Sequence, residues 1–269
     1  MTAAYHETSI PYVKEKYTVH NDMTQNTSMR LPVVLCLDVS PSMSLHNRIE
    51  DLNRAIETFY TELHNEPKAL ASVEVAVVTF SSGLEQNTGF EPLESVRGMR
   101  FSAVKQGGSN LPLAVLTSIQ KIEARIAEVE EGGFDCYLPF LVLVTDGDPD
   151  RTASEESLRE AVKAVQSHCV AARGEGQHLI APYVIGVGEE VRRESLDPFA
   201  ERFTGSAILI NERNADRQRT LFQQMFSLIG ASVRNSLLGE GDLGKLYERI
   251  RKDTMRQASD LIHRVRDVL

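Results

Sequence analysis

The chain has little cysteine: its 269 residues include three, Cys36, Cys136 and Cys169. No Cys-x-x-Cys pair occurs, and three thiols cannot all pair with one another in disulfides. Cys36 also lies within an apolar segment typical of a buried strand. We therefore expect three reduced thiols in a protein of the cytosol, where disulfides are rare.

Long apolar runs and an excess of basic residues are also missing. No segment approaches the roughly 20 apolar residues that a membrane-spanning helix needs, and residues 1–29 lack the basic-then-apolar pattern of an export signal. The net charge is −9 at pH 7 and the pI is about 5.4, so the overall charge would repel nucleic acid and anionic lipid. The sequence thus predicts a cytoplasmic protein without nucleic-acid or membrane partners.

Several catalytic motifs are absent from the sequence. No Gly-x-x-x-x-Gly-Lys-Ser/Thr loop occurs, which argues against a P-loop enzyme. Ser42 has no identifiable His and Asp partners for a hydrolytic triad. The seven histidines show no metal-ligand spacing such as His-x-x-x-His. We therefore expect a protein that is not an enzyme.

Strand-like apolar runs alternate with helical patterns along most of the chain. Val33–Leu37 and Phe140–Val144 are continuously apolar, as strands buried on both faces are. From Arg48 to just before Pro67, apolar residues recur at helical spacing. Because such alternation implies parallel pairing with right-handed crossovers, the sequence predicts an α/β fold, a doubly wound and mostly parallel sheet flanked by helices.

The remaining elements follow from the same patterns and from capping residues. Ser109 or Asn110 is predicted to cap one helix, and Ser154 another. Further strands are predicted at Val73–Phe80, Phe90–Leu93, Leu179–Val187 and Ala207–Ile210.

The chain divides into three parts. Residues 1–29 form a polar, aperiodic extension, residues 30–236 a single domain, and residues 237–269 a helical extension with two amphipathic stretches. This last part could pack back onto the domain, or it could present a helix to a partner or a second copy. The sequence leaves both possibilities open.

The most informative segment follows the first apolar strand. Asp38, Ser40 and Ser42 form an Asp-x-Ser-x-Ser pattern directly after Val33–Leu37. Ligands bind at the carboxyl edge of open α/β sheets, where this strand delivers a carboxylate and two hydroxyls. All three groups are hard oxygen donors, which suit Mg²⁺ or Mn²⁺.

Two later segments supply matching groups. Ser109 follows a Gly-Gly turn at the start of a helix, and Asp146 follows the strand Phe140–Val144 in a Thr-Asp-Gly context. We expect Asp38, Ser40, Ser42, Ser109 and Asp146 to converge on one divalent cation. Asp148 lies close in sequence and could act only as an outer carboxylate.

These residues resemble the von Willebrand factor A (VWA) family and its metal-ion-dependent adhesion site (MIDAS). Asp38, Ser40 and Ser42 match the first part of the family motif, and Asp146 matches the last. Ser109 stands where the family usually has threonine, which keeps the hydroxyl but loses the stiffness of a β-branched side chain. The cues before the first strand and around Asp146 are most similar to the intracellular bacterial TerY-like branch, which is associated with tellurite resistance.

The resemblance implies a protein-interaction module in which Mg²⁺ or Mn²⁺ recruits an Asp or Glu carboxylate of a protein partner. It also implies intracellular scaffolding in a stress-response or tellurite-resistance-type system. Two alternatives belong to other classes. A phosphotransferase of the haloacid-dehalogenase type would need a second aspartate where Ser40 stands, because serine cannot act as its general acid. A structural subunit could instead bind through the C-terminal helix without metal.

Overall fold

A computed structural model describes residues 29–147, 154–169, 178–238 and 243–267, with side chains of the last segment described for 245–258. The extension predicted for residues 1–29 therefore falls outside the described residues except for Met29. Asp148 also lies outside them.

The described residues form one seven-stranded sheet in the order β3-β2-β1-β5-β6-β7, with β4 beside β2. Strands β1, β2, β5, β6 and β7 run parallel, whereas β3 and β4 are antiparallel to β2. Every residue of β1, β2, β5 and β6 is buried, as expected where helices cover both faces. The strands are β1 (Leu31–Asp38), β2 (Val73–Phe80), β3 (Leu84–Asn87), β4 (Glu91–Pro92), β5 (Phe140–Thr145), β6 (Ala181–Val187) and β7 (Ile208–Ile210).

Seven helices accompany the described strands. Within the described ranges, no helix combines the length and apolar character needed to cross a membrane. The helices are α1 (Arg48–Leu63), α2 (Pro67–Ser72), α3 (Leu111–Glu131), α4 (Glu155–Ser167), α5 (Arg193–Ala200), α6 (Ala215–Leu238) and α7 (Leu243–Asp267), with 3-10 segments at Pro41–Asn47 and Leu93–Val96.

Strand β1 is the point at which the chain reverses its direction across the sheet. Helix α1 carries the chain from β1 to β2 on one side, and α3 carries it from β2 to β5 on the other side of β1. Because both crossovers join parallel strands and are right-handed, α1 and α3 lie on opposite faces. A crevice at the carboxyl ends of β1 and β5 results, and this is the usual ligand position in such sheets.

This architecture is the predicted doubly wound α/β fold with C-terminal helices. Some local elements differ from the predictions. The polar edge strand β3 and the short helix α5 have no counterpart among them, and the strand predicted at Phe90–Leu93 is the two-residue β4. The two amphipathic stretches predicted after residue 237 belong to one continuous helix, α7.

Capping side chains begin α3 and α4. The Asn110 side chain accepts a hydrogen bond from the Leu113 amide, and Ser154 accepts one from the Ser157 amide. Of the two candidates before α3, the cap is thus Asn110. The hydroxyl of Ser109 is left to bond elsewhere.

Helix α7 packs on the domain through Tyr247, Ile250 and Thr254, all buried. The Tyr183 hydroxyl on β6 donates to Ser232 of α6 and shares a hydrogen bond with Thr254, both at 2.7 Å. These contacts fasten the first part of α7 to α6 and to the sheet.

The three cysteines are free thiols. Burial raises the pKa of Cys36 and of Cys136 to about 12, and that of Cys169 to about 11. Since the thiolate is the reactive form, these thiols are chemically quiet near neutral pH.

Candidate metal centre

Asp38 ends β1 and lies at the centre of a buried hydrogen-bond cluster. Its Oδ1 accepts from the Ser40 amide at 2.8 Å. Its Oδ2 accepts from the Ser109 hydroxyl at 3.0 Å and from the Thr145 hydroxyl at 2.6 Å. One carboxylate therefore joins the ends of β1 and β5 to the loop before α3.

Asp146 forms the second half of the cluster. Its Oδ1 accepts from the Ser42 hydroxyl at 2.7 Å, and the Ser40 hydroxyl lies 3.5 Å from the same oxygen. The hydroxyls of Ser40 and Ser42 are 3.0 Å apart. Asp146 is 2% exposed and Asp38 is fully buried, so solvent screens neither carboxylate well.

The structure thus brings all five predicted site residues together at one sheet edge. They form two linked groups: Asp38 with Ser109, and Asp146 with Ser40 and Ser42. The Ser40 amide on Asp38 and the Ser40 hydroxyl near Asp146 connect the two.

Thr145 is a site residue for which the sequence analysis predicted no role. It is the last residue of β5, and its neighbour Asp146 was singled out as a ligand. The register of β1 and β5 pairs Leu37 with Val144, so the next residues, Asp38 and Thr145, come level. The position of Thr145 directly before the aspartate in Thr-Asp-Gly was the available signal.

We expect Thr145→Val to lower the unfolding free energy of the metal-free protein by about 1–3 kcal/mol. Valine keeps the shape and the strand preference but removes a hydrogen bond to a buried carboxylate, and bonds to charged groups are worth roughly that much. Urea unfolding measures the change. The matched control is Thr79→Val in β2, where a buried threonine makes no hydrogen bond to either aspartate. Equal losses in both variants would contradict the role given to Thr145.

Arg48 and Glu190 also join the site, and the sequence analysis gave neither a role there. The Arg48 guanidinium donates from Nη1 to Oδ2 of Asp146 at 2.9 Å and from Nη2 to Oε2 of Glu190 at 2.7 Å. Its side chain is 3% exposed, whereas that of Glu190 is 62% exposed. A buried cation thus contacts one of the two site carboxylates.

The local backbone fixes Arg48 in this place. His46 and Asn47 both have positive φ, 51° and 60°, and this sharp turn precedes Arg48 as the first residue of α1. Gln218 of α6 donates to the His46 carbonyl at 2.9 Å and holds the turn.

Opposing effects act on the charges of the site. Burial raises the pKa of Asp38, hydrogen bonds from Ser40 and Thr145 lower it, and the nearby Asp146 charge raises it; the net pKa is above the ordinary value. For Arg48, burial lowers the pKa, but the hydrogen bonds and charges of Asp146 and Glu190 raise it further, so the guanidinium stays protonated.

The donors of this cluster fit a hard divalent cation. Among the described residues, no group of three or more His, Cys, Asp or Glu side chains is placed to hold a metal, so a soft or fully anionic cage is absent there. The cluster instead combines two carboxylates with three hydroxyls, all oxygen donors suited to Mg²⁺ or Mn²⁺. The uncompensated burial of Asp38 is also the kind of charge that a cation would stabilise.

No protein-family model matches the chain, and no curated protein matches it. Similar solved structures include the pilus adhesin SpaC from Lactobacillus rhamnosus GG, with 13% identity and a TM-score of 0.48 over 76% of this chain and 31% of that one. Proximal thread matrix protein 1 from the mussel byssus has 15% identity and a TM-score of 0.47 over 74% of this chain and 47% of that one. A structure of the same byssus protein with a zinc-occupied MIDAS motif has a TM-score of 0.44, with the same identity and coverage.

The chain spans less than half the length of each of these proteins. At such identities and TM-scores, the likeness assigns no activity or partner to this chain.

Proposed function

We propose that this chain is a metal-dependent protein-interaction module of the VWA type and not an enzyme. The observation that supports this most is the hydrogen-bonded cluster of two buried aspartates and three serine hydroxyls. It lies at the carboxyl ends of β1 and β5, where the strand order reverses. Mg²⁺ or Mn²⁺ would be held by the five residues of that cluster, Asp38, Ser40, Ser42, Ser109 and Asp146.

The donor set explains why such a site would bind a partner. Only two of its five groups are anionic, and Mg²⁺ tends to keep several of its waters. A divalent ion bound there supplies an electrophilic centre whose exchangeable water an Asp or Glu carboxylate of a partner can replace. The net charge of −9 would not attract an acidic partner, so the attraction must be local to the ion.

The resemblance of the motif further supports a finer proposal. We place the chain among intracellular bacterial scaffolds of the TerY-like kind, acting in the cytoplasm in a stress-response or tellurite-resistance-type system. The phosphotransferase alternative is disfavoured because its general acid would stand at Ser40. That side chain is a hydroxyl close to Ser42 and Asp146, and it cannot protonate a leaving group as a carboxylic acid would.

Bound Mn²⁺ should keep water that acetate displaces and acetamide does not. Mn²⁺ with exchangeable waters speeds the relaxation of bulk water protons. The expected result is a strong enhancement when Mn²⁺ is added to chelator-treated protein, a loss of enhancement with acetate, and little change with acetamide. Acetate and acetamide have nearly the same shape, so the charge alone separates them.

Two other results would contradict the proposal. If Mn²⁺ gives no enhancement and calorimetry detects no Mg²⁺ binding, the cluster is not a metal site. If Mn²⁺ binds but acetate and acetamide act alike, the ion does not recruit carboxylates. Binding of a partner that persists in chelator would then favour docking through α7.

A further inference from the structure

Arg48 is a permanent positive charge at the edge of the proposed metal site. A guanidinium does not lose its proton in proteins, so Arg48 presents the same charge at every accessible pH. It contacts Oδ2 of Asp146 at 2.9 Å, while Oδ1 of the same carboxylate accepts from Ser42. Oδ2 of Asp146 is therefore bonded to a cation of the chain itself, and only Oδ1 contacts the serines.

The chain after β6 packs closely against this cation. Gly188 has φ of +100°, and a Cβ built there would lie 2.6 Å from Cζ of Arg48. The backbone after β6 thus lies directly against the guanidinium, and a larger residue at 188 would force it to move. Because its side chain is only 3% exposed, Arg48 is an integral part of the site and not a mobile surface residue.

The two carboxylates that contact Arg48 interact with it to different extents. Asp146 is neutralised by a contact that is almost fully buried, where charges interact strongly. Glu190, the other partner of Arg48, is mostly exposed, so water weakens its contribution. Among the described residues, Asp38 is the buried carboxylate of the cluster that has no contact with a cation. An incoming divalent ion would therefore be attracted mainly by Asp38.

We propose that Arg48 is an internal counter-cation that sets the metal affinity of this site. It stabilises Asp146 when no metal is bound, and it opposes a divalent ion when one binds. The inference rests on the proposed metal site. It predicts a stable metal-free protein with weakened affinity for Mg²⁺ and Mn²⁺, so that occupancy follows the surrounding metal concentration.

Removing the charge should tighten metal binding. We expect Arg48→Gln to bind Mg²⁺ and Mn²⁺ at least about tenfold more tightly than wild type, because one nearby positive charge is worth this much or more. Glutamine removes the charge but keeps a polar side chain in the buried site. The metal-free variant should unfold at a lower temperature, and added Mg²⁺ should raise that temperature more than in wild type.

Two further variants separate charge from position. Arg48→Lys keeps the charge but loses the planar fork that bridges Asp146 and Glu190, so its affinity should stay within about threefold of wild type. Arg125→Met removes an arginine from another ion pair, with Glu74. Glu74 lies near the start of β2, at the opposite sheet edge. This control should lose stability without a change in metal affinity.

Calorimetric titration of chelator-treated proteins distinguishes the outcomes. Tighter binding by Arg48→Gln but not by Arg48→Lys supports the inference, and Arg48→Met replaces Arg48→Gln should the latter not fold. Equal or weaker binding by the neutral variants, with wild type binding normally, would overturn the inference and leave the metal site standing. No binding by any protein would overturn the metal site and the inference together.

Discussion

An Asp38→Asn protein should bind Mg²⁺ at least about 100-fold more weakly than wild type, yet its metal-free form should be no less stable. The affinity falls because the buried carboxylate at the centre of the cluster is lost; even indirect partners of metal ligands are worth about 10- to 100-fold. The hydrogen bonds can survive, since an asparagine oxygen can accept from the Ser40 amide and its NH₂ can donate to the Ser109 or Thr145 hydroxyl.

The stability follows from the direction of the pKa shift. Burial raises the pKa of Asp38 in the folded protein, so the folded state holds this proton more tightly than the unfolded state does. Ionised Asp38 therefore lowers the stability of the metal-free protein at pH values above its unfolded pKa, neutral pH included. Asparagine carries no charge and removes this penalty.

Calorimetry with Mg²⁺ and thermal unfolding in chelator test both halves of this expectation. The matched control is Glu74→Gln, which neutralises a buried carboxylate that pairs with Arg125 near the start of β2, at the opposite edge of the sheet. That variant should lose stability but keep its Mg²⁺ affinity within about twofold of wild type. Normal Mg²⁺ binding by Asp38→Asn would remove Asp38 from the ligand set.

Phe203→Ala should lower the unfolding free energy by about 3–5 kcal/mol, the usual result of emptying a buried aromatic position. The Phe203 ring is fully buried between Tyr183 of β6 and Tyr247 of α7, with ring centroids 5.4 and 5.3 Å away. Its removal leaves a cavity that these rings cannot easily fill. The loss should also detach α7, because these edge-on and tilted ring contacts are one of its main links to the sheet.

Urea unfolding gives the energy, and hydrogen exchange reports the detachment. Amides of α7 should lose more protection than those of β1. Phe90→Ala serves as the control, since Phe90 is only partly buried against the core and should lose less. If α7 keeps its protection in Phe203→Ala, the helix is held by its other contacts alone.

The central strands and the main site could be predicted because their signals are local. Val33–Leu37 and Phe140–Val144 are apolar without interruption, as strands buried on both faces are. Asp38 and Asp146 each follow one of these runs directly. Parallel pairing then places their strand ends at the same edge of the sheet.

The features that the sequence analysis did not predict depend on long-range contacts or on sequences that are unusual for their secondary structure. Arg48 and Glu190 are 142 residues apart in sequence, and neither neighbourhood indicates that they meet. Strand β3 is mostly exposed and polar, so it lacks the apolar alternation that marks a strand. Helix α5 is eight residues long and contains Pro198, which ordinarily argues against a helix interior.

The contact between Gly188 and Arg48 has an evolutionary consequence. A side chain at position 188 would occupy the space of the guanidinium, so arginine at 48 depends on glycine at 188. Glycine at 188 is also required by its φ of +100°, so it should persist in homologous chains whatever stands at 48, whereas arginine at 48 should occur only together with glycine at 188. The residue at 48 would then mark which lineages kept the internal cation.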